Sequence, residues 1–296
     1  MRTRFCAAAA VFSLAAAAPA VAQSGAGASI SIGEVGSVQS CTYLPESAGR
    51  AGVAVTPYAA AAYAEWRTWW VKDCVDNFAT LRTSLQAALA SGGMDVRGGR
   101  GNYVMSVKLS AVSGGPGGGA PYAPDMGPDG YSIATVGMRV NADVTVRDRS
   151  GRVVFGKLLT KTIETGHEIR VGDFRTRAND SGESLYGQLQ HQVSLAVARA
   201  VAFHFRPLQV TGGDGRQITL NYGDPLLTLG TVVEATSPDG STALRYDVTS
   251  AANGSAIART VARADAARIV PGSRARVIEA DDPAANGRLF QKVDLP

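Results

Sequence analysis

The sequence predicts an α+β protein: a mixed strand-and-helix region reaching to about residue 207, then a small all-β barrel or sandwich. Three observations predict it. Two segments, 78–89 and 185–203, carry apolar residues at helical spacing. Residues 136–146 alternate apolar and polar with a period of two over an unusual length. After Pro207 short strand-like runs recur at close intervals, separated by turn residues.

The elements follow in order. Residues 28–38, ASISIGEVGSV, read as a first strand. A short helix is expected around Ala59–Trp69, and its three tryptophans, Trp66, Trp69 and Trp70, are the candidate partner contact, a flat aromatic platform able to stack on sugar rings. The competing reading packs those rings under a loop or helix. Phe78, Leu81, Leu85 and Leu89 then make one apolar stripe, with Asp76 expected to cap the helix start and Gly92-Gly93 to end it. Tyr103, Met105, Val107 and Leu109 alternate as a half-buried strand, and residues 113–130 form a loop rich in Gly and Pro. In the long hairpin, Val136, Met138, Val140, Ala142, Val144 and Val146 share a face, Asp148-Arg149-Ser150-Gly151 turns the chain, and residues 152–164 return. Strands of that length also occur in membrane barrels, so a membrane-contacting hairpin over 131–165 is the alternative to a sheet with one wet face.

The second helix is expected from Gly182 to Phe205, capped by Asp180 or Ser181 and closed by Pro207, with Leu185, Leu189, Val193, Ala196, Ala200 and Phe203 facing inward. The strands expected beyond it are 216–222, 230–236, 243–250, 255–264 and 275–280, with turns at Gly223-Asp224-Pro225, 237–240, Asn253-Gly254 and Pro271-Gly272. The division expected is 1–23, 24–207 and 208–296.

The first of these parts is a secretory signal. Arg2 and Arg4 precede an apolar run from Phe5 to Ala18, and Ala20-Val21-Ala22 supplies the small-residue cleavage site. The run is shorter than the roughly 20 residues a membrane span requires. Cys6 stands at its beginning rather than its end, so a free, unlipidated periplasmic or secreted protein is expected, with membrane association no more than peripheral. Losing Arg2 and Arg4 with the leader takes Lys+Arg from 29 to 27 against 25 Asp+Glu, a net charge of +2 rather than +4. Without a basic run interleaved with aromatics, the charge does not point to nucleic acid. An oxidising compartment and the two remaining cysteines, Cys41 and Cys74, predict one disulfide, with two free buried thiols as the alternative.

Motifs for chemistry do not stand out. GESLYG at 182–187 has the wrong spacing for a nucleophile elbow and falls in a helix start. His167, His191 and His204 form no zinc-binding spacing. The carboxylate pairs Asp125/Asp129 and Asp281/Asp282 lie in turn-rich stretches, and neither Gly98–Gly101 nor Gly114–Gly119 has the context of a phosphate loop. The reading is therefore of a protein with no catalytic site, cofactor or metal.

Three strings, NFATLRTSLQAALASGGMDVRGG leading into NYVMSVKLSAV, VNADVTVRDRSGRVVFGK around a D-x-x-G turn, and RQITLNYGDPLLTLGTVVEAT followed by ALRYDVTSAANGSAIARTV, carry a resemblance. In them, and in the order of its elements, the chain resembles the curli-secretion channel protein CsgG, the flagellar outer-membrane ring protein FlgT and the outer-membrane activators of penicillin-binding proteins. The resemblance implies an α/β sandwich with a barrel-like C-terminal domain. It also implies a non-catalytic role in assembling an envelope or surface structure for secretion or appendages, with other envelope proteins or copies of the chain as partners. The alternatives are a regulator or binder of cell-wall synthesis machinery, and a secreted hydrolase with an unrecognised site.

Overall fold

The computed structural model describes residues 28–42, 57–99, 101–112, 136–165, 168–171, 174–177, 181–252, 254–261 and 265–279. The expected secretory leader, the expected loop over 113–130, His167 and both carboxylate pairs lie outside these residues. The fold is α+β, an α/β layer pair followed by a β-barrel.

The first half is a five-stranded sheet under three helices. Its strands are β1 (Ser29–Ser37), β2 (Asp95–Val96), β3 (Tyr103–Val112), β4 (Val136–Asp148) and β5 (Val153–Thr165), in the order β2-β1-β3-β4-β5. β1 runs parallel to β2 and β3, whereas β3, β4 and β5 are antiparallel. Period-two patterning places Met105, Val107 and Leu109 of β3 beside Val140, Ala142, Val144 and Val146 of β4, all buried on the helix side. The opposite face carries Lys108, Asn141, Asp143, Thr145 and Arg147, the wet face the alternation predicts. The hairpin turn is held by Asp148, whose carboxylate accepts from the Ser150 and Arg152 amides at 2.9 and 3.1 Å, while Gly151 takes the positive φ of 85°. Two short strands, β6 (Glu168–Val171) and β7 (Phe174–Arg177), pair with each other in a separate two-stranded sheet among the described residues.

The helices are α1 (Pro57–Val75), α2 (Ala79–Ser91) and α3 (Gly182–Phe205). α1 is longer than the expected Ala59–Trp69 segment because its stripe continues from Trp66 and Trp70 to Cys74, each four residues on and each buried. The α1–α2 junction departs from the expected cap. Asp76 does not cap α2; Asp73, still within α1, accepts from the Thr80 amide at 3.2 Å and its hydroxyl at 2.6 Å. Asn77 and Phe78 both adopt left-handed backbone, φ 55° and 51°, so the chain turns sharply enough to bring Asp73 over the start of α2. Left-handed geometry costs a non-glycine residue about 1–2 kcal/mol. Here it is offset by complete burial of Phe78, whose ring meets Trp70 edge-on at 5.2 Å. Cys41, just beyond β1, is joined to Cys74, tying the end of α1 to the sheet.

α3 begins with Ser181 accepting from the Ser184 amide. Glu65 of α1 accepts from the Gly182 amide at 2.8 Å, and a Cβ at Gly182 would stand 2.5 Å from the Trp66 amide nitrogen, so only glycine permits this approach. The stripe Leu185, Leu189, Val193 and Ala196 is buried as its spacing predicts, but Val197, Ala198, Val201 and Ala202 are buried too. α3 is covered on more than one side because the second half packs against it.

That second half is a six-stranded sheet formed by β8 (Val210–Gly213), β9 (Gln217–Leu220), β10 (Val232–Thr236), β11 (Ala243–Ala252), β12 (Ser255–Arg259) and β13 (Arg274–Val277). The order is β13-β10-β11-β12-β9-β8. The two end strands meet: the Val210 amide donates to Ser273 O, the Gly272 amide to Val210 O and the Ala275 amide to Leu208 O, at 2.8–2.9 Å. The sheet is thereby a closed barrel with no free edge. Ile218, Leu220, Val233, Tyr246, Val248 and Ala258 fill it. β8 is not among the strands expected from the sequence: two of its four residues are glycines, which carry no strand pattern.

Candidate functional site

Trp66 and Trp70 are 2% and 1% exposed, stacked on one another with centroids 5.5 Å apart, and Trp66 meets Tyr186 edge-on. Their burial removes them from any stacking platform; the helical spacing that brings them together also turns them inward. Trp69, three positions on from Trp66, is half-buried under Lys72, whose ammonium lies 4.7 Å from its ring centroid. The candidate partner contact thus reduces to one ring at the helix surface.

Beneath α1 lies a buried polar cluster the sequence did not reveal. Asp73 accepts from the Tyr186 hydroxyl at 2.7 Å and the Gln190 side-chain amide at 2.9 Å, in addition to Thr80. One carboxylate therefore joins all three helices. Burial, then the adjoining Asp73 carboxylate, raises the Tyr186 phenol well above its ordinary value, so it stays a neutral donor. With no free nucleophile or vacant oxygen, this cluster is suited to fixing helix packing.

A second polar cluster joins the two halves. Glu279, following β13, accepts from Lys161 of β5 at 2.8 Å and from Arg199 of α3 at 2.9 Å. Both cations are 11% exposed at the side chain, and Arg199 also donates from Nε to Leu226 O at 2.6 Å. Burial works to raise the Glu279 carboxyl, but Arg199 and Lys161 together outweigh it and hold the group below the usual carboxylate range. Nearby, the Tyr222 hydroxyl donates to Arg206 O at 2.8 Å, and Leu226 fits so closely over α2 that a Cβ at Gly92 would lie 2.9 Å from its methyl.

Above this clamp opens a cleft of about 350 Å³ whose walls are β5, α3 and β13. β5 contributes Phe155, Lys157 and Leu159; α3 contributes Arg199, Phe203 and His204; β13 and its continuation contribute Arg274, Arg276 and Glu279. His204 lies against Phe155, ring centroids 4.9 Å apart. The cleft therefore combines an apolar, partly aromatic lining with four cationic side chains and one carboxylate. Its residues are dispersed between positions 155 and 279, so no contiguous motif announces them. The available signals were Arg199, a charge set among the apolar residues of α3, and the alternation of Arg274 and Arg276.

Among the described residues no group of three or more His, Cys, Asp or Glu side chains is placed to hold a metal ion. His191 is exposed on α3, and Ser184 sits in that helix's first turn. No helix among the described residues is long and apolar enough to cross a membrane.

No protein-family pattern matches the chain, and no curated protein matches it either. Among solved structures it is similar to a minor lipoprotein from Acinetobacter baumannii (13% identity, 59% of this chain and 90% of that one, TM-score 0.28). It is similar also to a PelC dodecamer from Paraburkholderia phytofirmans (13%, 59% and 88%, TM-score 0.23). A third match is a protein described as a lipoprotein from Caulobacter crescentus (16%, 42% and 76%, TM-score 0.24). At that degree of likeness no functional property passes from them to this chain.

Proposed function

We propose that the chain is an exported, non-catalytic assembly or scaffold protein of the bacterial envelope, working in the periplasm through contacts with other envelope proteins or with copies of itself. The observation that carries this reading is β5. It is a 13-residue strand at the end of its sheet, with a ladder partner on one side only among the described residues. Its first half is largely open to solvent, Leu158 being 63% exposed. An edge strand of this length offers a row of backbone donors and acceptors to an incoming chain. The Cys41–Cys74 disulfide and the N-terminal leader pattern support the oxidising compartment.

The test is site-specific photo-cross-linking from position 158 in living cells, with fractionation and mass spectrometry. The expected result is a defined envelope adduct, either a second copy or another protein, that disappears when proline is placed at Gly156 on the same edge. Absence of any adduct, together with intact secretion, appendages and envelope integrity in a deletion strain, would overturn the proposal.

A further inference from the structure

The geometry points to a second capability: we propose that the cleft between β5, α3 and β13 binds a small organic anion, a carboxylate or phosphate carried on an apolar or ring-bearing body. Charge is the first argument. The walls carry Lys157, Arg199, Arg274 and Arg276 against the single carboxylate of Glu279. Glu279 is already engaged by Lys161 and Arg199, and Arg276 is paired with Glu234 at 2.9 Å. Lys157 and Arg274 are exposed and have no acidic partner among the described residues. They stand on opposite walls, one on β5 and one on β13, so an anion entering between them gains from both. The guanidinium of Arg274 adds the planar fork that fits carboxylate and phosphate oxygens in pairs.

Lining and size are the second argument. Phe155, Leu159, Phe203 and Leu208 give the cleft an apolar interior, and its 350 Å³ falls near the lower end of the roughly 300–1,000 Å³ typical of small-ligand sites. A bare inorganic anion would leave that interior unused, and a neutral ring would leave the two cations unpaired. A ligand with both parts satisfies both. The walls are also preorganised: Lys161, Arg199 and Glu279 lock β5, α3 and β13 together directly below. Binding then costs little ordering of the protein.

This capability goes beyond the assembly reading and fails or stands separately from it. A chain that binds the probes below yet cross-links to nothing keeps this inference and loses the other.

The experiment is an amide NMR titration of the chain lacking its first 23 residues, at low ionic strength, with phenyl phosphate and benzoate, and with phenol and benzamide as neutral controls. Saturable shifts confined to the segments around 155–159, 199–208 and 274–279 are expected for at least one anion. The neutral analogue should bind about tenfold more weakly or less. Lys157→Ala and Arg274→Ala alter exposed side chains, so their spectra should stay native while each weakens anion binding about tenfold. Response to phenyl phosphate alone identifies a phosphoryl ligand, and to benzoate alone a carboxylate. Shifts that never saturate, equal affinity for neutral and charged probes, or unchanged affinity in both folded variants would each overturn the proposal.

Discussion

Replacing Glu279 by glutamine should loosen the junction between the two halves without changing its shape. Glutamine keeps one side-chain oxygen able to accept a hydrogen bond but removes the charge that both Lys161 and Arg199 face. Removing one member of a fully buried ion pair costs about 3–5 kcal/mol, because the remaining charge stays desolvated. Glu279 is 30% exposed, so water reaches part of the site and the expected cost is lower, about 2 kcal/mol. For a chain of this size that corresponds to a fall of about 4–8 °C in Tm. The pH dependence supplies the control. The carboxyl is held below its ordinary value of 4.5 in the folded protein, so its contribution is complete above that pH and disappears as pH falls through the lower, folded value. Calorimetry at pH 7 should therefore show the variant melting below wild type, and the gap should close as the buffer is acidified below about pH 4. Equal melting at pH 7, or a gap of the same size at pH 3 and pH 7, would refute the idea that this carboxylate clamps the structure through charge.

Three further outcomes can be measured. Asp73→Ala strips the acceptor from the Tyr186 hydroxyl, Gln190 and Thr80, and urea unfolding should record a loss of about 3 kcal/mol, more than the exposed Asp76 just beyond α1 would give. Cys41→Ser opens a loop of 33 residues and should cost about 3–4 kcal/mol, matched by adding reductant to the native protein. Asp239, which accepts from Ser237 and then Ser241, should titrate at about 2 by NMR, and Ser237→Ala should bring it back toward its ordinary value.

The sequence disclosed what depends on local periodicity. The β4–β5 hairpin was legible because thirteen-residue strands repeat one pattern and Asp148-Arg149-Ser150-Gly151 can only turn. The barrel strands were legible through their glycine and proline punctuation, apart from β8. What was hidden depends on pairing at a distance. Asp76 looked like the natural cap for α2, and only the left-handed backbone at Asn77 and Phe78 gives that position to Asp73. Helical spacing grouped Trp66 with Trp70 but could not say whether the pair faces water or core. Arg199 and Glu279 lie eighty residues apart, and their relation follows from how the barrel docks on α3, which no pattern in either segment encodes.

The way the barrel closes has a consequence for the order of events as the chain is synthesised. Its final strand, β13, seals against Leu208 and Val210, which immediately follow α3, and Glu279 lies just beyond that strand. The leading sheet can pair its own strands while later residues are still being added to the chain. The barrel and the clamp at its foot must wait for residues 272–279. Until then β8 and β10 each present an open edge, so a chain stopped before Arg274 should be a substrate for chaperones and proteases rather than a smaller working protein.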